Sequence, residues 1–179
     1  MPDKVTIFDK TFKKFIDYKE IRSAIQRIAC GLNTELKDEK PLFIAVLNGA
    51  FMFASDVFKE IDIEGAEISF VKFASYEGDS STGTVKKLIG FGEEIEGRTI
   101  VILEDIIDTG NTLFQIGKQL EGLGVKKVVT ATMLFKPEAL RNNIRIDHVG
   151  IEIPDKFIVG YGLDYNGLGR NFKNIYQLC

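Results

Sequence analysis

The apolar residues of this chain fall into two alternating patterns, one helical and one continuous. From Tyr18 to about Leu36, Ile21, Ile25, Ile28, Leu32 and Leu36 recur at three- and four-residue steps, with Glu20, Arg22, Gln26 and Arg27 off the stripe, which predicts an amphipathic helix. Leu42 to Leu47, after Pro41, and Ile100 to Leu103 are unbroken apolar runs of the kind that suits strands covered on both faces, as in a parallel sheet. Each run passes through a turn into a helical pattern. Asn48-Gly49-Ala50 precedes a helix over 51–61, and the turn at Asp108 precedes one from about Thr112 to Glu121, ended by Gly122 and Gly124. Glu67 to Phe73 alternates well enough for another strand, Gly90-Phe-Gly92 reads as a turn, and Val125 to Phe135 predicts a buried strand ending at Lys136-Pro137. Residues 1–17 mix Val5, Ile7, Phe8, Phe12, Phe15 and Ile16 with Lys and Asp without a period, and predict no defined element. The order of elements implies an α/β, doubly wound fold around a central parallel sheet, with its loops grouped at the strand carboxyl ends.

Composition narrows the classes. With 179 residues, 45% hydrophobic and 27% charged, the chain fits one globular domain with a real core, and no repeat or linker interrupts it. A net charge of −3 gives no support for nucleic-acid binding through a broad basic face. Cys30 and Cys179 imply no disulfide framework, and without a signal peptide the protein is expected in the cytoplasm. No apolar run reaches membrane-spanning length.

The chemistry concentrates in Ile100 to Leu113. Directly after the buried run stand Glu104 and Asp105, and three residues on comes Asp108-Thr109-Gly110-Asn111-Thr112. Helix N-terminal N–H groups, the Thr109 and Thr112 hydroxyls and a backbone open to close approach at Gly110 make a site for a phosphate. The three carboxylates cannot hold that phosphate. They can hold sugar hydroxyls or Mg²⁺, or accept a proton. The turn lacks the Gly-Lys-Ser/Thr of a Walker A loop. Asp-Thr-Gly is also the tripeptide of the dimeric aspartic proteases, but those are all-β and here it opens a helix.

An acidic pair, two apolar residues and Asp-Thr-Gly-X-Thr after a buried strand resemble the phosphoribosyl-diphosphate (PRPP) loop of the type I phosphoribosyltransferases. A second stretch, Ile153-Pro-Asp-Lys-Phe-Ile-Val-Gly-Tyr-Gly-Leu-Asp-Tyr-Asn166, resembles the purine side of the hypoxanthine-guanine members. The resemblance spans roughly residues 40–176 and implies a core over about 40–150 with a small hood from the N-terminal arm and about 151–179. It implies a Mg²⁺-dependent transfer of the 5-phosphoribosyl group of PRPP to N9 of a 6-oxopurine in purine salvage, giving a nucleotide and pyrophosphate. The preference among hypoxanthine, guanine and xanthine is left open. Relatives associate as dimers or tetramers, so a homodimer or homotetramer is expected. A PRPP-binding regulator of the same fold is the alternative, which the acidic net charge disfavours.

Residue by residue, the resemblance places the 5-phosphate on Asp108, Thr109, Gly110, Asn111 and Thr112. Ribose and Mg²⁺ fall near Glu104 and Asp105, with Asp164 as a further metal-linked carboxylate. Gly49 and Arg170 face pyrophosphate, together with Asn48, where relatives often carry Lys and where the preceding peptide is often cis. Phe157 offers its face to the base, the Ile158 backbone meets the base edge, and Lys156 orients the loop or that edge. Lys136 donates to the exocyclic oxygen and so rejects adenine. Asp108 is the expected acceptor for the purine N7 proton. Ala74 to Thr84, poor in apolar side chains, cannot order itself by burial, and its Ser75-Tyr76 pair resembles a lid that closes over the diphosphate. His148 has no partner visible in sequence.

Overall fold

The computed structural model describes residues 2–74, 86–89 and 94–179. The expected lid residues Ser75 and Tyr76, and the Gly90-Phe-Gly92 turn, lie outside them. The elements in chain order are β1 (Lys4–Ile7), β2 (Lys10–Ile16), α1 (Tyr18–Glu35), β3 (Leu42–Leu47), α2 (Phe51–Lys59), β4 (Glu67–Ala74), β5 (Lys86–Ile89), β6 (Thr99–Ile107), α3 (Asn111–Leu120), β7 (Lys127–Phe135), a 3₁₀ turn (Pro137–Ala139), β8 (His148–Glu152), β9 (Ile158–Val159) and β10 (Ile175–Leu178).

The apolar runs form the middle of a six-stranded sheet in the order β5-β4-β3-β6-β7-β8. Strands β4, β3, β6, β7 and β8 are mutually parallel, and β5 is an antiparallel edge. Both faces are covered, which is why β3 and β6 show no polar alternation. Val101 and Leu103 pack with α1 and α2, through Ile25, Leu32, Phe53 and Val57. Ile100 and Ile102 pack on the other side with Leu113, Ile116 and Leu120 of α3. Helix α1 starts at Asp17, whose side chain accepts a hydrogen bond from the Lys19 amide, and buries the predicted Ile21-Ile25-Ile28-Leu32 stripe.

The N-terminal arm, without a predicted element, is a β-hairpin. Its strands pair as β1-β2-β10-β9 in a small antiparallel sheet, the hood. The turn places Phe8 at a φ of 51°, and only Ile7, Phe12 and Ile16 turn fully inward. Most of the remaining side chains face solvent, which is what erased the period. His148 does have a partner, across the sheet edge: its Nε2 lies 2.9 Å from Glu35 Oε2, and Lys127 pairs with the other Glu35 oxygen.

Gly117 lies inside α3 with nothing within 4 Å of where a Cβ would stand. Gly117→Ala should therefore stabilise the protein by about 0.5–1 kcal/mol in a denaturant titration, because alanine restricts the unfolded chain and fits the helix.

Candidate active site

The carboxyl ends of β3, β6 and β7 bring the two resembling stretches together. Between them lies a cleft of about 360 Å³ lined by Gly49, Asp105, Asp108, Lys136, Lys156, Phe157, Ile158, Asp164 and Arg170, with Ile106 and Leu163 between these. A larger groove, about 480 Å³, runs along the outer side of α1, but its central amide, Asn33, is already spent on the Glu60 carbonyl and the Asp62 amide. Its charged lining is two carboxylates, Glu60 and Asp62, without the cations that join the anions in the smaller cleft.

The turn from Asp108 into α3 is tight. Gly110 caps α3 at a φ of 78°, a left-handed conformation that favours glycine. A Cβ there would meet Leu140 and Ile144 at under 3 Å. The turn is held from outside by residues that sequence reasoning missed: Asn142 donates to the Thr109 carbonyl at 3.0 Å and to Asn111 Oδ1 at 2.7 Å, and the Arg141 amide donates to the same carbonyl. The Asn111 amide donates to Thr109 Oγ1 at 3.4 Å, and the remaining amides of the first helical turn, with the Thr112 hydroxyl, are donors of the kind an anion takes up. These turn residues and exposed Asn48 lie outside the cleft lining.

Asp105 and Glu104 part company. Successive strand residues point to opposite faces, so Glu104 follows Ile102 under the sheet while Asp105 turns to the cleft. Glu104 is 7% exposed, and its Oε2 has no hydrogen-bond partner among the described residues. Burial, with the nearby Asp105 carboxylate, holds Glu104 well above the usual carboxylate range. Burial also pushes Asp105 up to about 6, against the backbone N–H groups of Ile106 and Asp105 itself and the charge of Arg170. A carboxylate whose folded-state pKa is raised contributes stability fully present below its unfolded value and lost as pH rises through the folded one. Asp105→Asn should thus be more stable than the parent protein above pH 6, by at most about 3 kcal/mol, with the gap closing toward pH 4. Thermal melts across that range check it, and Glu104→Gln should move in the same direction.

Gly49 is packed too tightly for any side chain. A Cβ would stand 1.6 Å from Asp105 Oδ2, and a Cβ on Gly162 would stand 2.1 Å from the Gly49 carbonyl oxygen. The Leu47–Asn48 peptide is cis. Arg170 binds the Gly162 carbonyl at 2.7 Å and Asp164 at 2.6 Å, while the Gly167 amide donates to the other Asp164 oxygen. The Gly160-Tyr161-Gly162 bend is fixed to α2 by the Tyr161 hydroxyl, which donates to Asp56 at 2.8 Å.

On the opposite wall Phe157 is 45% exposed, so it is a surface platform rather than a core aromatic. Phe12 and the edge of Tyr165 support its ring, and the Lys10 ammonium lies 5.4 Å from its centroid. Lys136 is 7% exposed and bridges Asp108 at 2.8 Å and Asp155 at 3.0 Å. Burial opposes the ammonium, but the two carboxylates outweigh it and raise Lys136 above the ordinary lysine value. Asp155 carried no signal of its own in the sequence.

For a metal, the donors are hard oxygens. Asp105 and Asp164 share the cleft and act on each other electrostatically. No cluster of three or more metal-ligating side chains exists among the described residues. An ion here would therefore complete its shell with water and substrate oxygens, the habit of Mg²⁺ rather than of a metal caged by protein alone.

Residues 16–166 match the family described as the Phosphoribosyl transferase domain. The chain is 38% identical over 164 residues to the hypoxanthine-guanine phosphoribosyltransferase of Bacillus subtilis, covering 91% of each. It is 39% identical over 170 residues to that of Staphylococcus aureus, covering 90% of this chain and 94% of the relative. A crystal structure of a hypoxanthine phosphoribosyltransferase from Staphylococcus aureus superposes with a TM-score of 0.88 at 34% identity, over 93% of this chain and 91% of that one. With the PRPP-like turn and the purine-like wall meeting at one cleft, the chain belongs to the phosphoribosyltransferase family, in its hypoxanthine-guanine branch.

Proposed function

We propose that the protein transfers the 5-phosphoribosyl group of PRPP to N9 of a 6-oxopurine, hypoxanthine or guanine, releasing pyrophosphate. The observation that carries this reading is the pairing of Lys136 with Asp108 beside the half-exposed ring of Phe157. One ammonium that can donate to an exocyclic oxygen thus touches one carboxylate that can take a proton from the same base.

In this reading the 5-phosphate rests on the amides and hydroxyls from Asp108 to Thr112. The ribose lies over Asp105, with Glu104 buried behind it, and pyrophosphate meets Gly49 and Arg170, with Asn48 on its outer side. The base stacks on Phe157, with its edge toward the Ile158 backbone and Lys156. Asp105 and Asp164 would hold Mg²⁺ together with substrate oxygens, and the ion would supply neutralisation of charge on the leaving pyrophosphate. Arg170 adds a fork of donors to the same anion. The bond from C1 to the pyrophosphate oxygen breaks with oxocarbenium character, N9 bonds to C1, and Asp108 accepts the N7 proton. Adenine presents an amino group, itself a donor, where Lys136 needs an acceptor.

Protein incubated with PRPP and Mg²⁺ should release pyrophosphate with hypoxanthine or guanine and not with adenine. PRPP binding without release in the presence of either 6-oxopurine would instead identify a regulatory protein of this fold. We also expect a cytoplasmic homodimer or homotetramer, which light scattering can count. No helix among the described residues is long and apolar enough to cross a membrane.

A further inference from the structure

We infer that Asp155 is a positioning residue of the transfer reaction: it aims the Lys136 ammonium at the base and remains as its counter-charge when Asp108 is neutralised. This rests on the function proposed above.

The geometry is specific. Lys136 leaves the end of β7 and is almost wholly buried, while Asp108 comes from the turn after β6 and Asp155 from the segment between β8 and β9. The ammonium touches both, at 2.8 and 3.0 Å. An ammonium carries three donors in a fixed tetrahedral arrangement. With two committed to separate carboxylates, the third has one direction left, and the base is the acceptor the cleft can bring to it. A single carboxylate would leave the head free to rotate.

The second role concerns charge. As N9 bonds to C1, the purine loses its N7 proton to an Asp108 oxygen. The base is neutral again and Asp108 becomes a carboxylic acid. Without Asp155 the buried Lys136 would then face no anion directly, and an uncompensated buried charge is costly. With Asp155 the ion pair persists through the step. Asp105, Asp164, Arg170 and Lys156 also line the cleft, but Asp164 pairs with Arg170, and the carboxylates that meet the Lys136 ammonium are those of Asp108 and Asp155. Asp155 is itself exposed, so its replacement should not disturb the core.

The test compares the parent protein with Asp155→Asn and Asp155→Glu in steady-state assays, with thermal melts alongside. For Asp155→Asn we expect the KM for hypoxanthine or guanine to rise and kcat to fall, each about tenfold, with the KM for PRPP within twofold and the melting temperature unchanged. The pH at which kcat declines on the alkaline side should move down, because the ammonium has lost one anion, and Asp155→Glu should restore most of each effect. An unchanged purine KM and pH profile would overturn the inference, and so would equal losses for purine and PRPP accompanied by a lowered melting temperature. If the parent protein transfers nothing to a 6-oxopurine, the proposed function fails first, and that outcome is visible without the variants.

Discussion

Replacing Asp108 with Asn is expected to lower kcat by about 10²- to 10⁴-fold, the range of a positioned general base, while the KM for PRPP changes little. The asymmetry follows from what the replacement keeps. Asn retains the size of the side chain and an oxygen for Lys136, and the backbone that continues the phosphate turn toward Gly110 is untouched. It cannot take a proton from N7. Equal losses in turnover and PRPP affinity, read from initial rates at varied PRPP, would reject the role of Asp108 as acceptor and assign it to ground-state binding instead.

Gly49→Ala should be nearly as damaging for a different reason. The added methyl would lie 1.6 Å from Asp105 Oδ2, closer than any non-bonded contact, so either the Asp105 carboxylate or the Asn48-Gly49 loop must move. Movement of the loop is resisted from the other side, where Gly162 lies against the Gly49 carbonyl and is bound to Arg170 through both its amide and its carbonyl. A misplacement of about 1 Å at reacting groups can cost about 10²-fold, so a loss of that size or greater in kcat/KM for PRPP is expected. Gly162→Ala, which presses on the same carbonyl from the hood, should give a similar loss. Purine nucleotide binding on the Phe157 wall should survive in both variants, as judged by calorimetry with GMP, provided each still melts cooperatively.

How much of this could be read in one dimension depended on how local each feature is. The segment from Ile100 to Leu113 was legible because strand, acidic turn and helix start follow one another, and each signals by its own residue types. The same holds for β3 with its Asn48-Gly49 turn. The hood hairpin was not legible: Phe12 is buried because it pairs with Leu178, far along the chain, and the flanking lysines hide the alternation. Lys136 and Asp155 meet across two loops, and no spacing rule connects them. The Glu104 placement could have been foreseen. Adjacent strand residues point to opposite faces, so Glu104 and Asp105 could not both have opened directly on the cleft. Phe157, ambiguous as a letter between core and platform, was decided only by its exposure once Phe12 and Tyr165 had filled the space behind it.

The central claim is that one turn holds the sugar phosphate and the facing wall holds the base. A crystal structure with GMP bound tests it most directly. The 5-phosphate should lie on the amides from Asp108 to Thr112, with guanine stacked on Phe157 and its O6 within hydrogen-bond distance of Lys136 Nζ. A phosphate found anywhere other than that turn would contradict it.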